Sequence, residues 1–419
     1  MSSQQAAKLI APFPGWRPRP EQVAQVASPP YDVLSRDEAR LLATGNPCSF
    51  LHVSKAEIDL ADGVASDDPA VYQQARQRWR QWCEQGLFVQ DAVPCLYIYR
   101  LMTQQRQQIG VVAAASVDAY LNDRIKRHEL TRADKENDRT RLSDSLSAHS
   151  GPVFLTYRQS RPIDLLVAQL IQSPPVYDFC AADGVQHTFW VVQQEALVQQ
   201  LVAAFENLPS VYIADGHHRS AAAARVCQTR RAQRSGSTGR EGFNRFLAVL
   251  FPDSQVNILD YNRVVRDLNG LTGEQFLAAV GERFTVESET APVRPRQRHQ
   301  FGLYLAGHGW YRLDLKPGLV EEHHPVGRLD VRLLEEHLLR PVLAMTDLRH
   351  DRRIDFVGGS HGLERLMARV DRGDMAAAFV LHPTQLEELF TVADAGMVMP
   401  PKSTWFEPKL CDGLVVQAL

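Results

Sequence analysis

The stretch SVYIADGHHRSAAAARV, at residues 210–226, constrains the fold more than any other part of the chain. Apolar and small residues lead into Asp215-Gly216-His217-His218-Arg219, and an alanine-rich run follows at once. The apolar run has the length of a strand, and alanine is the best helix former. The pattern therefore predicts a strand over 210–215, a tight turn at Gly216 and a helix over 219–233.

These five residues also carry groups suited to binding an anion. Gly216 permits a close backbone approach, and the free N–H groups and dipole of a helix start favour negative charge. Arg219 can donate two hydrogen bonds to one phosphate. His217 and His218 can donate to phosphate oxygens or move protons. Asp215 ends the strand, where a carboxylate can hold Mg²⁺ or accept a hydroxyl proton.

The alternative is a polar helix start at which Asp215 is only a capping residue. A lone Asp-Gly pair would favour that alternative, but two histidines and an arginine directly after it favour a functional turn. Zinc is disfavoured, because two adjacent histidines are poorly placed to bind one tetrahedral ion.

A second charged stretch, DRIKRHELTRADKENDRTRL, occupies residues 123–142. Glu129 stands beside His128 and is a candidate general base. If residues 132–146 are helical, Lys135 and Arg139 lie four positions apart on one face, and that face can bind phosphates. Charge content by itself favours the alternative, a solvated helix without a site.

The stretch MPPKSTWFEPKLCDGLV, near the end of the sequence, is rich in hydrogen-bond donors. Lys402, Ser403 and Thr404 follow two prolines, and Lys409 comes shortly after. The glycines of a phosphate-binding P-loop are missing in front of them, so the sequence predicts no P-loop. A structural clasp and a site loop remain equally good interpretations.

The stretch ASPPYDVLS, at residues 27–35, places Tyr31 and Asp32 after two prolines. Prolines fix an extended turn, from which these two side chains can project. On this ground alone a structural turn is the favoured interpretation.

The bulk composition excludes several classes of protein. The chain has 419 residues, which predicts two or three lobes rather than one core. A net charge of −3 gives no broad electrostatic footprint for nucleic acid. The six cysteines form no C-x-x-C pair, and no long apolar segment is present. We expect a cytoplasmic protein that binds a small molecule, without a membrane or nucleic-acid partner and in an unknown oligomeric state.

Apolar runs and helical periodicity predict a mixed α/β fold. Residues 95–103 and 107–119 flank a short polar turn and indicate a β-hairpin. The other predicted strands are 151–158, 187–193, 210–215, 243–251 and 301–307. The predicted helices are 70–86, 194–207, 219–233, 274–284, 329–340 and 360–371. Because strands and helices alternate irregularly, α+β or mixed α/β describes the chain better than a doubly wound sheet.

Five ordered motifs resemble the prokaryotic family known as domain of unknown function 1015. In chain order, these motifs are Pro29-Pro30-Tyr31-Asp32-Val33; His128-Glu129-x-Thr131 with Lys135 and Arg139; Gly151-Pro152-Val153-Phe154; Asp215-Gly216-His217-His218-Arg219; and Met399-Pro400-x-Lys402-Ser403-Thr404-x-Phe406-x-Pro408-Lys409. The resemblance covers nearly the whole chain and carries no activity with it.

The Asp-Gly-His-His-Arg motif is also similar to that of free serine kinases of the ParB/sulfiredoxin-like superfamily. This resemblance implies that residues 215–219 meet nucleotide phosphates. It also implies a ParB/sulfiredoxin-like core. The composition places the boundary of this core: we expect the core with an N-terminal extension over 1–258 and a C-terminal α/β lobe over 259–419, whose last segment folds back on the site. Sulfiredoxins place a reactive cysteine in the motif, whereas this chain has His217 and His218, so sulfiredoxin chemistry is not implied.

The hypothesis that follows is a small-molecule kinase, a transferase that moves phosphate from ATP or ADP to a hydroxylated metabolite, with free L-serine as one candidate. Gly216 and Arg219 would bind phosphate with Lys135, Arg139, Lys402, Ser403, Thr404 and Lys409. Glu129 or Asp215 would accept the proton, His217 and His218 would assist, and Asp215 would hold Mg²⁺.

Two alternatives use the same turn. A ParB-like nucleotide-binding regulatory or DNA-partition protein would need a basic recognition helix, which the sequence does not show. A phosphatase or phosphotransferase acting on a phosphorylated metabolite would need an activated water and no nucleotide.

Overall fold

The computed structural model describes residues 8–234 and 238–419, which group into two compact units. Unit 1 comprises the described residues up to Arg127, then Thr131–Val256 and Pro408–Leu419. Unit 2 comprises His128–Leu130 and Asn257–Glu407. The chain thus contributes three residues to unit 2 at His128–Leu130, returns to unit 1, builds the rest of unit 2 over Asn257–Glu407 and ends in unit 1. The division into folding domains at residue 258 stays a prediction.

The strands of the described residues are distributed over both units. They are β1 (Ile10–Ala11), β2 (Trp16–Pro18), β3 (Phe88–Gln90), β4 (Leu96–Met102), β5 (Gln107–Ser116), β6 (Ile125–Lys126), β7 (Ala148–His149), β8 (Val153–Tyr157), β9 (Tyr177–Cys180), β10 (Gln186–Val192), β11 (Val211–Asp215), β12 (Arg245–Pro252), β13 (Ile258–Leu259), β14 (Tyr261–Val265), β15 (Phe284–Glu289), β16 (Gln300–Leu305), β17 (Gly309–Leu315), β18 (Ile354–Gly358), β19 (Ala377–Leu381), β20 (Trp405–Phe406) and β21 (Gln417–Ala418).

The helices of the described residues are likewise distributed over both units. The α-helices are α1 (Val23–Val26), α2 (Arg36–Ala43), α3 (Leu51–Ser54), α4 (Pro69–Glu84), α5 (Val117–Leu121), α6 (Ala133–Leu146), α7 (Arg161–Leu170), α8 (Glu195–Glu206), α9 (His217–Gln233), α10 (Gly273–Val280), α11 (Asp330–Leu334), α12 (Gly362–Asp371) and α13 (Leu386–Asp394). Short 3₁₀ turns occupy Pro20–Gln22, Tyr31–Val33, Ala56–Asp59, Gly242–Asn244, Asp253–Gln255 and Gly359–His361, and one π-helical turn occupies Glu335–Leu339.

A mixed sheet forms the centre of unit 1. Its strand order is β6-β11-β8-β12-β5-β4-β10-β9, with β1 paired to β5. The β12 strand pairs in parallel with β8 and antiparallel with β5, and β11 pairs in parallel with β6 and antiparallel with β8. The predicted hairpin is confirmed, because β4 and β5 are adjacent and antiparallel. This sheet and the helices around it confirm the predicted mixed α/β class.

Helix α9 packs closely on this sheet because its inner face is built from small residues. Ala221–Ala224 are buried, and Ala223, Ala224 and Cys227 join the core with Leu155 and Ala248 of the sheet. Small side chains let a helix axis approach its neighbour closely, and α9 also packs along α6 and α5. The alanines therefore fix where the first turn of α9 lies relative to β11 and β8.

An aromatic cluster forms a second core of unit 1. It joins Phe50, Trp79, Trp82 and Phe88 to Val416, which lies in the last segment of the sequence. That segment is further held by β21, which pairs with β7. The last residues are therefore part of the packing of unit 1.

Unit 2 contains an antiparallel sheet in the order β15-β17-β16-β19-β14-β18, and β13 pairs with β20. Leu363, Leu366 and Val370 of α12 pack on Val264 and Val380 of the sheet. The helix predicted over 329–340 is divided, since α11 ends at Leu334 and a π-helical turn follows. The wider turn brings the Arg340 guanidinium to the Glu335 carboxylate, 2.9 Å away.

Among the helices that the structure describes, none has both the length and the apolar character needed to cross a bilayer. Cytoplasmic localisation stays a prediction.

Candidate functional site

The predicted strand, turn and helix are present, and a shift in strand register shapes the turn. Ile213 lies opposite Leu155 of β8, but Asp215 lies opposite the next residue, Phe154, so one extra residue is inserted in β11. Such bulges redirect the side chains that follow them. Gly216 then adopts φ 98° and ψ 27°, and α9 begins at His217, two residues earlier than predicted.

Gly216 is required at this point for two reasons. Its φ lies in the left-handed region, where a side chain costs energy. A Cβ at this position would also lie 3.3 Å from the Cα of Val153, so the turn rests directly on β8. The motif that begins at Gly151 and the motif that begins at Asp215 are therefore packed against each other.

The Asp215 carboxylate is held between the turn and Lys409. Its Oδ1 accepts from the backbone N–H of Gly216 at 2.8 Å, and its Oδ2 accepts from Lys409 Nζ at 2.7 Å. Burial by itself would raise the pKa of Asp215, but the charge and hydrogen bond of Lys409, with Arg219 and His217 near by, hold that pKa below its usual value. Asp215 is thus an anion over the whole physiological range.

The Arg219 guanidinium is anchored at one end. Nη1 donates to the carbonyl of Pro152 at 2.9 Å and to Asp412 Oδ1 at 3.0 Å, and Nη2 donates to Asp412 Oδ2 at 3.1 Å. These bonds use three of its five N–H groups. The Nε–H and the second Nη2–H form the remaining edge, which makes no hydrogen bond with any residue that the structure describes.

Asp412 is almost completely buried, with 2% exposure. Its backbone pairs with Ser28 in both directions, which fixes the position of its side chain. Burial raises the pKa of Asp412 to about 6, although the Arg219 charge acts in the opposite direction, and the nearby Asp32 raises it further. The pair is therefore a desolvated ion pair whose acid titrates close to the physiological range.

Tyr31, from the motif that begins at Pro29, lies beside Arg219 and Arg139. Its ring centre lies 3.8 Å from the guanidinium carbon of Arg139 and 5.4 Å from that of Arg219, both within cation–π range. Burial raises the pKa of Tyr31 to about 12, so the ring stays neutral. Arg139 also donates to the Asp138 carboxylate and to the carbonyl of Ser54, so part of its charge is already neutralised.

A small cavity of about 20 Å³ lies beside these groups. Its lining residues are Arg139, Leu142, Ser143, His149, Ser150, Gly151, Arg219 and Asp412. Burial lowers the pKa of His149 to about 4, so this histidine is neutral at physiological pH. The space is about the size of one water molecule, so the cavity itself cannot take a larger ligand without movement.

The two histidines of the turn have different surroundings. His217 is buried with 5% exposure. The Nε2 of His218 accepts from the backbone N–H of Arg132, at 3.0 Å. Arg132 is the residue before α6, so His218 ties the start of that helix to the turn. A histidine that accepts through Nε2 carries its proton on Nδ1.

The structure brings together in unit 1 the five turn residues with Lys409 and Arg139. Lys135 lies on α6 as well, one turn before Arg139, but its side chain is exposed. The other predicted site residues, Glu129, Lys402, Ser403 and Thr404, belong to unit 2.

The loop over 402–404 is held by hydrogen bonds to neighbouring residues of unit 2. Ser403 Oγ donates to the carbonyl of Pro400 at 2.7 Å, and Thr384 Oγ1 donates to the carbonyl of Ser403 at 2.8 Å. Lys402 is exposed, has φ 57° and lies 5.7 Å from the ring centre of Tyr261. These contacts account for the rigid loop, while its predicted role in phosphate binding stays a prediction.

The described residues contain no ready-made group of protein ligands for magnesium. Both Asp215 oxygens accept hydrogen bonds, Oδ1 from the Gly216 N–H and Oδ2 from the Lys409 ammonium. Over residues 8–234 and 238–419, no three His, Cys, Asp or Glu side chains are grouped to hold a metal ion. The role of Asp215 as a Mg²⁺ ligand therefore stays a prediction.

Sequence reasoning gave no role to Asp412, named Gly151 only as part of a family motif, and interpreted Tyr31 as part of a structural turn. A Cβ on Gly151 would lie 2.6 Å from the guanidinium carbon of Arg219 and 2.7 Å from Asp412 Oδ1, so a glycine is needed for the pair to form. The available signal for Asp412 was its Asp-Gly pair, which repeats the Asp215-Gly216 pair directly after the Lys409 motif.

The fold and the turn define a mixed α/β protein whose first unit carries a charged strand–turn–helix. The model of the family described as "Protein of unknown function (DUF1015)" matches residues 10–332, which is more than half of the chain. The chain therefore belongs to the DUF1015 family, as its motifs predicted. Comparison with curated proteins gives no match.

Three solved structures are similar over most of the chain. A conserved hypothetical protein from Pyrococcus furiosus is 16% identical, with 74% of this chain and 95% of that chain covered and a TM-score of 0.35. SbnI with a C-terminal truncation, from Staphylococcus aureus, is 11% identical, with 73% and 87% covered and a TM-score of 0.39. A free serine kinase in complex with AMP is 14% identical, with 73% and 92% covered and a TM-score of 0.35. At these scores, the fold class rests on the structure of the chain itself.

Proposed function

We propose that the chain is a small-molecule kinase that binds the phosphates of ATP or ADP at the turn over 215–219 and transfers one to a hydroxylated metabolite. Free L-serine is the first acceptor to test. The observation that carries the proposal is the Arg219 guanidinium, which is fixed at one end and keeps two parallel N–H groups without a partner in the described residues. Two parallel N–H groups match two oxygens of a phosphate.

Three features would bring positive charge to the bound phosphates. The first turn of α9 presents backbone N–H groups and the positive end of the helix dipole. Arg219 adds its fixed charge. Lys409 is held close to the turn by Asp215. Phosphoryl transfer depends mainly on positioning and charge neutralisation, which this arrangement supports without a covalent intermediate.

The contacts of Asp215 favour an anchoring role over a role as general base. A carboxylate whose pKa is held below its usual value is a weak base at neutral pH, because catalytic pKa values work best near the operating pH. Glu129 stays the alternative base on the ground of the sequence. Lys135, Lys402, Ser403 and Thr404 stay candidate phosphate ligands on the same ground.

The test is an incubation of the purified protein with L-serine, Mg²⁺ and either ATP or ADP, followed by mass spectrometry for O-phosphoserine. ADP affinity is measured in parallel by calorimetry. Arg219→Lys keeps the charge but loses the planar fork, so we expect ADP affinity to fall about tenfold or more and product formation to fall with it.

Arg225→Lys is the matched control, because Arg225 lies on the same helix but is exposed and pairs with Glu136 and Asn137. Its ADP affinity should equal that of the parent. Binding of ADP without product would direct the search to other hydroxyl acceptors. Phosphate release from a phosphomonoester without nucleotide would favour the phosphatase alternative. Absence of nucleotide binding would refute the kinase proposal.

A further inference from the structure

We propose that Asp412 is the positioning residue for Arg219: it holds the Nη1–Nη2 end of the guanidinium so that the Nε–Nη2 edge faces an anionic ligand. This inference rests on the proposed binding of phosphate at the turn. It assigns to the last segment of unit 1 a direct part in preparing the site.

The guanidinium has two pairs of parallel N–H groups, here called forks: one at its Nη1–Nη2 end and one along its Nε–Nη2 edge. Asp412 accepts one hydrogen bond from Nη1 and one from Nη2, a bidentate contact with the end of the group. The carbonyl of Pro152 takes the other Nη1–H. The Nε–H and the remaining Nη2–H point along the opposite edge and are parallel, so they form a second fork of the same shape. A ligand can use that fork without displacing Asp412.

The surroundings make this orientation rigid. The backbone of Asp412 is paired with Ser28 in both directions, at 2.9 and 3.2 Å. Gly151 leaves room for the pair, since a Cβ there would overlap both partners. The ring of Tyr31 contacts the guanidinium as well. An arginine held by a buried partner loses less rotamer freedom when it binds a ligand, so its position before binding contributes to affinity.

The alternative is that Asp412 occupies the ligand's own place on Arg219 and must leave before a phosphate can bind. The two possibilities predict opposite effects of removing the charge. A positioning residue strengthens binding, so its removal weakens affinity. A competing carboxylate weakens binding, so its removal strengthens affinity.

The experiment measures ADP and pyrophosphate affinity by calorimetry for the parent and for Asp412→Asn at pH 8. We expect roughly tenfold weaker binding in the variant, the size associated with losing one charge-assisted hydrogen bond. Asp91→Asn is the matched control, since Asp91 is also a buried partner of an arginine, Arg17, through two hydrogen bonds. That variant should bind ADP as the parent does.

A pH series supplies a readout that loss of stability alone would not produce. Asp412 is surrounded by Arg219, Arg139 and Asp32, and His149 lines the same cavity. Because the parent carboxylate takes up a proton near pH 6, the two proteins should become alike in acid. The ratio of their Kd values should therefore fall from about ten at pH 8 toward one at pH 5. The ligand phosphate also titrates near pH 6. Because both proteins are measured with the same ligand at each pH, this titration changes both Kd values equally and drops out of their ratio.

Asp412→Glu covers the case in which Asp412→Asn does not fold, as judged by circular dichroism. It keeps the charge but displaces the guanidinium, so weaker ADP binding than in the parent is expected. Equal or tighter binding at pH 8 in a folded variant would overturn the role of Asp412 while the kinase proposal stands. If the parent binds neither ADP nor pyrophosphate, both proposals fail together.

Discussion

At the scale of single residues, the turn is organised by ion pairs that reach it from distant parts of the sequence. Asp215 pairs with Lys409, and Arg219 pairs with Asp412. The two pairs have opposite polarity, since the turn supplies the acid in one and the base in the other. The turn can in this way keep two cationic side chains beside it, while each of them has an acidic partner that offsets its desolvation.

Lys409→Met should lower the free energy of unfolding at pH 7 by about 1–2 kcal/mol, the usual size for a hydrogen bond to a charged group that water partly reaches. The lower figure is the better guide, because 39% of the Asp215 side chain is exposed. Urea unfolding of the parent and the variant measures the difference. Lys135→Met, at an exposed lysine of the same unit, is the control and should change stability little.

The pH dependence of that difference has a definite sign. The pKa of Asp215 in the folded protein lies below its ordinary value of 3.8. The stabilisation by Lys409 is therefore complete above that ordinary value and is lost as the pH falls below it. The gap between parent and variant should stay constant from pH 7 to pH 5 and narrow below pH 4. A gap that widens in acid would contradict the assigned pair.

At the scale of elements, the sequence was informative wherever one local pattern decides the outcome. The strand and helix around Gly216 and the hairpin of β4 and β5 follow from apolar runs, helix propensity and turn residues. The helix that carries Arg139 entered the sequence analysis only as a condition, which α6 fulfils. Asp412 could not be found in this way. Its partner lies 193 residues earlier, and no local pattern encodes a pairing over that distance. The same holds for Tyr31, whose place beside Arg139 and Arg219 depends on how the elements pack.

Gly216→Ala tests how strictly β11 and α9 are joined. The alanine would sit at φ 98° with its Cβ against Val153, so we expect a loss of about 1–3 kcal/mol in unfolding free energy. Gly45→Ala is the control, since Gly45 also has a positive φ, of 75°, but no atom stands within 4 Å of the added Cβ. Its loss should be smaller, about 1 kcal/mol. Equal losses in the two variants would mean that the contact with Val153 has no effect.

Gly151→Ala tests the packing of β8 against Arg219. The added methyl group would overlap the guanidinium and Asp412, so it should force the pair apart while the strand itself remains. We expect ADP affinity to fall about tenfold, as expected when a charge-assisted hydrogen bond is lost, with a smaller proportional effect on thermal stability. Calorimetry and thermal melting of the same samples separate the two effects. Unchanged affinity would show that Arg219 does not need its present orientation.

At the scale of the whole molecule, the main part of unit 2, Asn257–Glu407, is inserted between two parts of unit 1, and His128–Leu130 adds a short second part. The insertion begins at Asn257 and ends at Glu407, and the N–H of Glu407 donates to the carbonyl of Asn257 at 3.2 Å. The two ends of the insertion therefore lie side by side. Insertions of this kind leave the path of the host unit intact, because its own chain ends need not move.

Replacing residues 257–407 with a short Gly-Ser linker should leave a folded unit 1, because the residues before and after the insertion are already close together. The variant should unfold cooperatively in urea and keep its aromatic near-ultraviolet circular dichroism signal, and its ADP affinity should stay within a few-fold of the parent if the turn alone binds the phosphates. Deleting Pro408–Leu419 as well is the comparison, since it removes Val416, Lys409 and Asp412. A first variant as poorly folded as the second would contradict an independent unit 1.

The return of the chain to unit 1 also sets an order of events on the ribosome. Asp215 is made 194 residues before Lys409, and Arg219 is made 193 residues before Asp412. At about 5–20 residues per second, the nascent turn waits roughly 10–40 s for its two counter-charges. During that interval the turn already has its full sequence but neither of its partners, so the molecule acquires a finished site only after all of unit 2 has been synthesised.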